Sequence, residues 1–297
     1  MTQRYLVGVD GSDVGRHALR WAIEEAALRH ALVHAVHAWS IPPQVSSIAS
    51  SRALVDPGDY ELWAKDTLES DVALISQAAG APEALITSEL VQGRPSEVLL
   101  SRADYADLLV VGNRGRGGFR GLLLGSVSQH CAAHAATPVA VVRQGSPLPD
   151  RSDIVVGIDG SRGSQAALDF AVRAAVARNA RLVIAQAWWV AHPGSTTDML
   201  PFVSVERGAY IAESRNLMRE MLDVATRSEQ RPDDVELVPI EDAPAPGLLA
   251  LAERAGLLVI GSRGRSGLSG MLLGSVSQQC LHHARCAVIV VPPAHAR

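Results

Sequence analysis

A glycine-rich segment of 24 residues occurs twice in this chain. It reads LLVVGNRGRGGFRGLLLGSVSQHC from Leu108 to Cys131 and LLVIGSRGRSGLSGMLLGSVSQQC from Leu257 to Cys280. The second copy begins 149 positions after the first, and 17 of the 24 aligned residues are identical. In each copy an apolar run leads into a glycine-rich loop and then into a segment with helical periodicity. This order predicts a buried strand, a loop and a helix.

The repeat extends over the whole chain at the same offset. Residues 7–12 (VGVDGS) match residues 156–161 (VGIDGS), and residues 37–39 (HAW) match residues 186–188 (QAW). A repeat of this length is a duplicated domain, because solenoid repeats span only about 20–50 residues. The turn-rich segment 145–149 (GSPLP) is typical of a connector. We therefore expect one domain at residues 1–146 and a second at residues 152–297.

Apolar strands alternate with amphipathic helices along each half. In the first half the pattern predicts strands at 6–9, 32–39, 85–91, 108–111 and 139–142, and helices at 16–28, 61–79, 95–105 and 126–135. The second half repeats the series from residue 154 to residue 291. Strands and helices in alternation form a parallel sheet covered on both faces. The predicted fold is α/β, with two tandem Rossmann-like domains, each a five-stranded parallel sheet with helices on both faces.

The glycine-rich loop has the chemistry of a phosphate site. Its spacing is G-x2-G-x9-G-S in both copies, and sheets of this kind bind ligands at the carboxyl ends of their strands. Glycine allows the backbone to approach a ligand closely, and a helix start presents free N–H groups to an anion. The segment after the loop has the spacing of a capping box. We expect Ser126 to cap the helix and Gln129 to reach back, and Ser275 and Gln278 to repeat the arrangement.

The composition narrows the class of protein. The chain has 297 residues, of which 47% are hydrophobic, and its net charge is −4. This charge argues against a nucleic-acid-binding protein, and no apolar run reaches the roughly 18 residues that span a membrane. We therefore expect a cytoplasmic protein with neither nucleic acid nor membrane as a partner. Lys65 is the only lysine, so Arg114 and Arg116 are the candidates for charge-assisted phosphate contacts.

Cysteine and histidine suggest no chemistry of their own. Cys131 and Cys280 are equivalent positions inside predicted helices, where we expect small buried apolar residues rather than redox groups. His134 and His283 are also equivalent, but they lie late in the helix. His282 and His283 are adjacent on a helix and do not face one another. We predict no metal site and no catalytic residue.

These motifs resemble those of the universal stress proteins, in the tandem two-domain form seen in actinobacteria. The resemblance rests on the VGVDGS opening, the HAW of the second strand and the G-x2-G-x9-G-S loop, and it covers essentially the whole chain. The loop is the ATP-binding signature of the family, and both halves keep it whole. The resemblance implies domains of the adenine nucleotide α-hydrolase-like type, with one bound ATP per domain, with or without Mg²⁺.

The resemblance also implies which residues hold the nucleotide. Asp10 and Asp159 would lie by the adenosine, and Ala38 and Ala187 would meet adenine through backbone groups. The loops would hold ribose and phosphates through Gly112, Gly115, Gly125, Ser126, Val127 and Ser128 in the first half and Gly261, Gly264, Gly274, Ser275, Val276 and Ser277 in the second. From the residues alone, Asp10 has a second interpretation, which is to cap the helix or turn that follows it.

Two classes of function remain open at this point. The first is an ATP-binding stress-response or regulatory protein with little or no hydrolysis, in which bound nucleotide stabilises a state that unidentified protein partners read. The second is a slow ATPase or another ATP-using enzyme of the same fold. Hydrolysis needs a group that positions water, and the nearest candidate, Asp10, is assigned by the resemblance to the adenosine end. The sequence therefore favours binding over turnover.

The two halves raise two further expectations. The fifth strands, at 139–142 and 288–291, are uninterrupted apolar runs, and the resemblance implies that they pair two domains or two chains. An intrachain pseudo-dimer and a homodimer both remain open. The loops also differ, because Asn113 becomes Ser262 and Arg120 becomes Ser269. These differences favour unequal affinities at the two sites.

Overall fold

Within each half, strands and helices alternate among the residues that the structure describes. The computed structural model describes residues 2–40, 57–82, 85–116, 123–150, 152–188, 207–265 and 272–293. The first half contains β1 (Arg4–Gly8), α1 (Asp13–Arg29), β2 (Leu32–Trp39), α2 (Pro57–Ala79), β3 (Ile86–Gln92), α3 (Pro95–Ala103), β4 (Leu108–Gly112), α4 (Ser126–His134) and β5 (Val139–Val142). The second half contains β6 (Ile154–Gly157), α5 (Arg162–Arg178), β7 (Leu182–Trp188), α6 (Arg207–Ala225), β8 (Val235–Glu241), α7 (Pro244–Ala252), β9 (Leu257–Gly261), α8 (Ser275–His283) and β10 (Ala287–Val291).

The ten strands of the described residues form one sheet. Their order is β3-β2-β1-β4-β5-β10-β9-β6-β7-β8. Neighbouring strands within each half are parallel. β5 and β10 pair antiparallel, with Val141 opposite Val288 and Val139 opposite Val290. The predicted α/β fold is confirmed, and the fifth strands join the two halves inside one chain.

Buried apolar side chains form a layer on each face of the sheet. Along β1, Tyr5 and Val7 belong to one layer and Leu6 to the other, because successive side chains of a strand point to opposite faces. In the first half α1 and α2 pack together, as do α3 and α4. The strands are therefore buried on both faces, which explains their continuous apolar sequence. None of the helices described is long and apolar enough to cross a membrane.

The predicted helix boundaries are least accurate at helix starts. α1 begins at Asp13 rather than at residue 16, because Ser12 is its N-cap and accepts a hydrogen bond from the N–H of Gly15 at 3.0 Å. α2 begins at Pro57 rather than at residue 61. Apolar periodicity marks the buried face of a helix, whereas the first turn depends on the cap and on backbone conformation.

Candidate functional site

Each half has a cavity at the carboxyl ends of its strands. The cavity lies beside the place where strand order reverses, between β1 and β4 in the first half and between β6 and β9 in the second. The volumes are about 580 Å³ and about 710 Å³, which is ample for a small-molecule ligand. The structure brings every predicted site residue to these cavities. The first is lined by Asp10, Ala38, Gly112, Gly115, Gly125, Ser126, Val127 and Ser128, and the second by Asp159, Ala187, Gly261, Gly264, Gly274, Ser275, Val276 and Ser277.

The capping box predicted at the start of α4 is wrong. Gly125, not Ser126, is the N-cap residue, with φ −82° and ψ 157°, and it has no side chain with which to cap the helix. The hydroxyl of Ser128 donates to the carbonyl oxygens of Gly125 at 2.9 Å and of Asn113 at 3.1 Å. Ser128 thus fastens the loop to the helix as a donor. The first N–H groups of α4, which lack intrahelical acceptors, are left facing the cavity.

The start of α8 repeats this arrangement. Gly274 is the N-cap residue, again with no side-chain cap. The hydroxyl of Ser277 donates to the carbonyl oxygen of Gly261 at 2.7 Å, so Ser275 does not act as the predicted capping serine. Both cavities therefore contain an uncapped helix N-terminus, which carries the positive end of the helix dipole and favours an anion.

A carboxylate clamps each glycine loop to the end of the first strand of its half. Asp10 Oδ2 accepts a hydrogen bond from the backbone N–H of Arg116 at 2.8 Å. Its other oxygen, Oδ1, accepts from the N–H of Ser12 at 3.1 Å and from the Ser12 hydroxyl at 2.5 Å. Because Ser12 caps α1 itself, Asp10 is not the helix cap. It holds the loop and the turn together while lining the cavity.

Asp159 makes the equivalent clamp in the second half. Its Oδ2 accepts from the backbone N–H of Arg265 at 2.8 Å, and its Oδ1 accepts from the N–H of Ser161 at 3.0 Å. Burial raises the pKa of Asp159, but the hydrogen bonds from Ser161 and Arg265 outweigh burial and hold this pKa below its ordinary value. The second cavity therefore contains an ionised carboxylate at neutral pH.

The middle glycine of each loop is required by the clamp. A Cβ atom at Gly115 would lie 2.4 Å from Asp10 Oδ2, and one at Gly264 would lie 2.5 Å from Asp159 Oδ2. Real Cβ atoms do not approach other atoms so closely, so any side chain here would push the carboxylate away. Gly125 differs, because its added Cβ would meet only ordinary contacts of 3.4 Å and longer. The packing of the loop therefore does not require glycine at position 125. Gly125 lines the cavity, and the absence of a side chain there leaves room for a ligand.

An apolar wall, which no sequence motif marks, completes each cavity. In the first half Pro95 and Leu99 of α3, together with Leu124, line the space. Their equivalents at the 149-residue offset are Pro244, Leu248 and Leu273, and all three line the second cavity. The repeat offset itself was a signal for these residues, since the apolar positions recur beside the loop in both copies.

The two cavities differ near the arginine that follows the clamp. The guanidinium of Arg116 lies over the ring of Trp63 on α2, at 4.5 Å from its centroid. In this helix the contacts recur at an offset of 150, since an added Cβ at Gly11 would meet Thr67 and one at Gly160 would meet Leu217. The position of Trp63 is therefore taken by Glu213. In the second half Trp188 stacks on Tyr210 at 5.2 Å. The sequence made Arg116 a candidate for a phosphate contact. In the structure its guanidinium group lies over Trp63, and the phosphate contact stays a prediction. Loop residues 117–122 and 266–271, which include the Arg120 to Ser269 difference, lie outside the described residues.

Cys131, Cys280 and Cys286 are buried free thiols, which confirms the prediction for Cys131 and Cys280. Burial raises the pKa of Cys131 and of Cys280 to about 12 and that of Cys286 to about 11. His134 and His283 are exposed at the ends of their helices. In the part of the chain that the structure describes, no group of three or more histidine, cysteine, aspartate or glutamate side chains is placed to hold a metal ion.

The fold and the two cavities define a tandem α/β protein in which a glycine-rich loop and a helix start border a cavity in each half. A model of the Universal stress protein family matches residues 1–143 and again residues 151–292. The chain is 34% identical over 294 residues to Universal stress protein Rv2005c of Mycobacterium tuberculosis, a match that covers 96% of this chain and 95% of that one. It is also 34% identical over 308 residues to Universal stress protein Rv1996 of the same species, with 96% and 93% covered.

Solved structures share the fold of the complete chain. A universal stress protein from Archaeoglobus fulgidus covers 98% of this chain and is itself covered to 98%, with a TM-score of 0.68 at 18% sequence identity. At that identity the likeness concerns the fold alone. The family matches span nearly all of both halves, and the chain therefore belongs to the universal stress protein family.

Proposed function

We propose that this protein binds one ATP molecule in each half, acts as a stress-response regulator, and hydrolyses the nucleotide little or not at all. The observation that supports the proposal best is the doubled start of α4 and α8. Each helix begins at a glycine N-cap with no side-chain cap, and its first residues line a cavity behind a glycine loop. Backbone N–H groups and the helix dipole together attract phosphate at such a place.

The apolar lining of each cavity suits a nucleobase. Leu99 and Leu124 provide apolar surface in the first half, and Ala38 lies beside them near the end of β2, where backbone groups are within reach of a ring edge. Binding sites for small molecules commonly combine a mostly apolar lining with a few well-placed polar groups. The cavity therefore offers apolar surface for adenine and backbone N–H groups for phosphates within one space.

The carboxylate that clamps the loop can also bind the ribose. A carboxylate has about four lone-pair sites, and Asp10 uses three of them for Ser12 and Arg116. The remaining capacity is available for a ribose hydroxyl, and the same reasoning applies to Asp159. In this proposal one side chain shapes the loop and orients the sugar.

We expect slow or absent hydrolysis because the acidic residue of the cavity, Asp10, lies away from the place where the terminal phosphate would be attacked. In-line attack on a terminal phosphate needs a residue that positions water there. Asp10 is held at the end of β1 by the clamp, on the side that the proposal gives to ribose. If Mg²⁺ accompanies the nucleotide, we expect phosphate oxygens and water to supply most of its ligands, as is common for this ion.

The proposal is tested by the nucleotide content of the purified chain. We expect chromatography of the denatured protein, or calorimetric titration of the nucleotide-free protein, to give two ATP per chain. Adenosine alone and inorganic triphosphate alone should each bind more weakly than ATP, because each fills only part of the cavity. Absence of co-purified nucleotide together with no calorimetric signal for ATP would overturn the proposal. Conversion of bound ATP to ADP within minutes would instead favour the slow ATPase.

A further inference from the structure

A largely buried group of charges lies where α1 and α5 pack across the boundary between the halves. Glu25 of α1 is 0% exposed, and the side chains of Arg178 and Arg29 are 0% and 7% exposed. Glu25 Oε2 accepts from Arg178 Nε at 2.9 Å and lies 2.8 Å from Arg178 Nη2. Glu25 Oε1 accepts from Arg29 Nε at 3.1 Å. One carboxylate therefore serves two guanidinium groups, one from each half.

The two arginines are related by the repeat. Arg29 and Arg178 are equivalent positions, and so are Trp21 and Phe170. Each guanidinium lies over the aromatic ring of the other half, with Arg29 at 5.1 Å from the Phe170 centroid and Arg178 at 5.7 Å from the Trp21 centroid. The basic and aromatic groups of this interface thus obey a local two-fold symmetry.

The acidic group breaks that symmetry. The equivalent of Glu25 is Ala174, which is completely buried. If both positions carried glutamate, two carboxylates would balance two guanidinium groups. With alanine at position 174, the cluster has one negative and two positive charges. Burial of an unbalanced charge is costly unless a counter-charge accompanies it.

Among the residues that the structure describes, no neighbouring titratable group supplies the second negative charge. Burial raises the pKa of the Tyr5 phenol well above its ordinary value, so it stays neutral. Burial likewise raises the pKa of Cys286, which Arg178 influences electrostatically, to about 11. Asp107 also influences Tyr5, but it is exposed and accepts from the backbone N–H of Arg4 at 2.8 Å.

Several buried donors of the cluster also lack acceptors. Arg29 Nη2, Arg178 Nη1 and Trp21 Nε1 have no hydrogen-bond partner among the described residues, although all three atoms are inaccessible to solvent. Buried donors are normally satisfied, because an unmade hydrogen bond leaves the full cost of desolvation. Unmatched donors and an unmatched positive charge therefore occur in the same cluster.

We propose that this cluster binds one small monovalent anion of about the size of chloride, at the place that a carboxylate from position 174 would otherwise occupy. The anion accepts from the free guanidinium N–H groups of Arg29 and Arg178 and neutralises the excess positive charge. A water molecule would satisfy the donors but would leave that charge unbalanced. The bound anion links α1 to α5 and so stabilises the association of the halves, independently of the nucleotide cavities.

Anion-dependent thermal unfolding of the full-length chain tests this site. We expect the Tm to rise by about 3–5 °C, saturably, when sodium gluconate is replaced by sodium chloride or bromide at constant ionic strength. A crystal grown in bromide should show one anomalous peak between Arg29 and Arg178. Identical unfolding curves in gluconate and chloride, or a bromide map with no peak there, would overturn the proposal.

Two variants separate this site from anion binding at the helix N-termini of the nucleotide cavities. Ala174→Glu supplies the missing carboxylate, so its Tm should match chloride-saturated wild type and no longer depend on chloride. Ala174→Gln has the same shape without the charge, and it should lose the dependence while unfolding at a lower temperature. If Ala174→Glu keeps the wild-type chloride dependence, the anion acts elsewhere and the proposal is wrong. If either variant fails to fold, the wild-type titration and the bromide map decide.

Discussion

The carboxylate of Asp10 accepts a hydrogen bond at 2.8 Å from the backbone N–H of Arg116, which fastens the glycine-rich loop to the end of β1. Asp159 and Arg265 repeat the contact at 2.8 Å. In both halves the partners are 106 positions apart in the chain. In each half one carboxylate therefore ties the loop that borders the cavity to the end of the first strand of that half.

Removing the clamp should weaken nucleotide binding at one site only. Asp10→Asn keeps the size of the side chain but replaces one acceptor by a donor, so the contact with Arg116 or with Ser12 is lost. Hydrogen bonds to charged groups contribute about 1.5–3 kcal/mol, which corresponds to a loss of about tenfold or more in affinity for ATP. Calorimetry should show one weakened and one unchanged site. Asp159→Asn is the matched control, and it should weaken the other site instead.

Alanine at the two glycines of one loop should have different consequences. Gly115→Ala places a methyl group 2.4 Å from Asp10 Oδ2, so we expect the ligand-free protein to lose about 1–3 kcal/mol of unfolding free energy, as in other overpacked sites. Gly125→Ala meets only ordinary contacts and should cost less, about 0.5–1 kcal/mol, because alanine is a poorer N-cap than glycine. Its methyl group at the helix start should weaken ATP binding. Urea denaturation and calorimetry measure both effects. Equal destabilisation by the two substitutions would contradict this account of the loop.

How much could be predicted from the sequence differs between elements. The strands and the aspartate, glycine and serine residues of both cavities were predicted because the repeat presents every signal twice. The apolar wall, which includes Leu99 and Leu248, was not predicted, because no motif marks it. The capping box failed because its spacing does not show which residue has the extended backbone of an N-cap, and Gly125 takes that role rather than Ser126. The pairing of Glu25 with Arg178 joins positions 153 apart. No local sequence pattern indicates this ion pair. The repeat does not indicate it either, because the position equivalent to Glu25 is Ala174.

The three thiols should be unreactive towards thiol reagents in the folded protein. Burial raises the pKa of Cys131 and Cys280 to about 12 and that of Cys286 to about 11, and only the thiolate reacts as a nucleophile. With a chromogenic disulfide reagent at pH 8, we expect none of them to react within minutes in native protein. All three should react at once in denaturant. A thiol in the native protein that is modified as fast as free cysteine would contradict the burial of that residue.

Acid should weaken the packing of α3 on the sheet through one ion pair. Glu89 of β3 accepts from Arg102 of α3, with Oε1 to Nη2 at 2.6 Å and Oε2 to Nε at 2.8 Å, and His34 Nε2 lies 3.2 Å from Oε2. The hydrogen bonds from Arg102, with a smaller contribution from His34, lower the pKa of Glu89 from its ordinary 4.5 to about 2. A carboxylate whose pKa is lower in the folded state stabilises that state above its unfolded pKa. This contribution is lost as the pH falls from about 4.5 through about 2.

Glu89→Gln should therefore flatten the acid side of the stability profile. Because the Glu89 side chain is 40% exposed, solvent screens the pair and the loss at neutral pH should be modest. We expect the unfolding free energy of the variant, from urea titrations between pH 2 and pH 7, to change less across this range than that of wild type. The control is Glu97→Gln, because Glu97 pairs with Arg94 and the two side chains are 65% and 81% exposed. It should follow the wild-type profile, and a Glu89→Gln profile with the same acid slope would show that the Arg102 pair does not contribute.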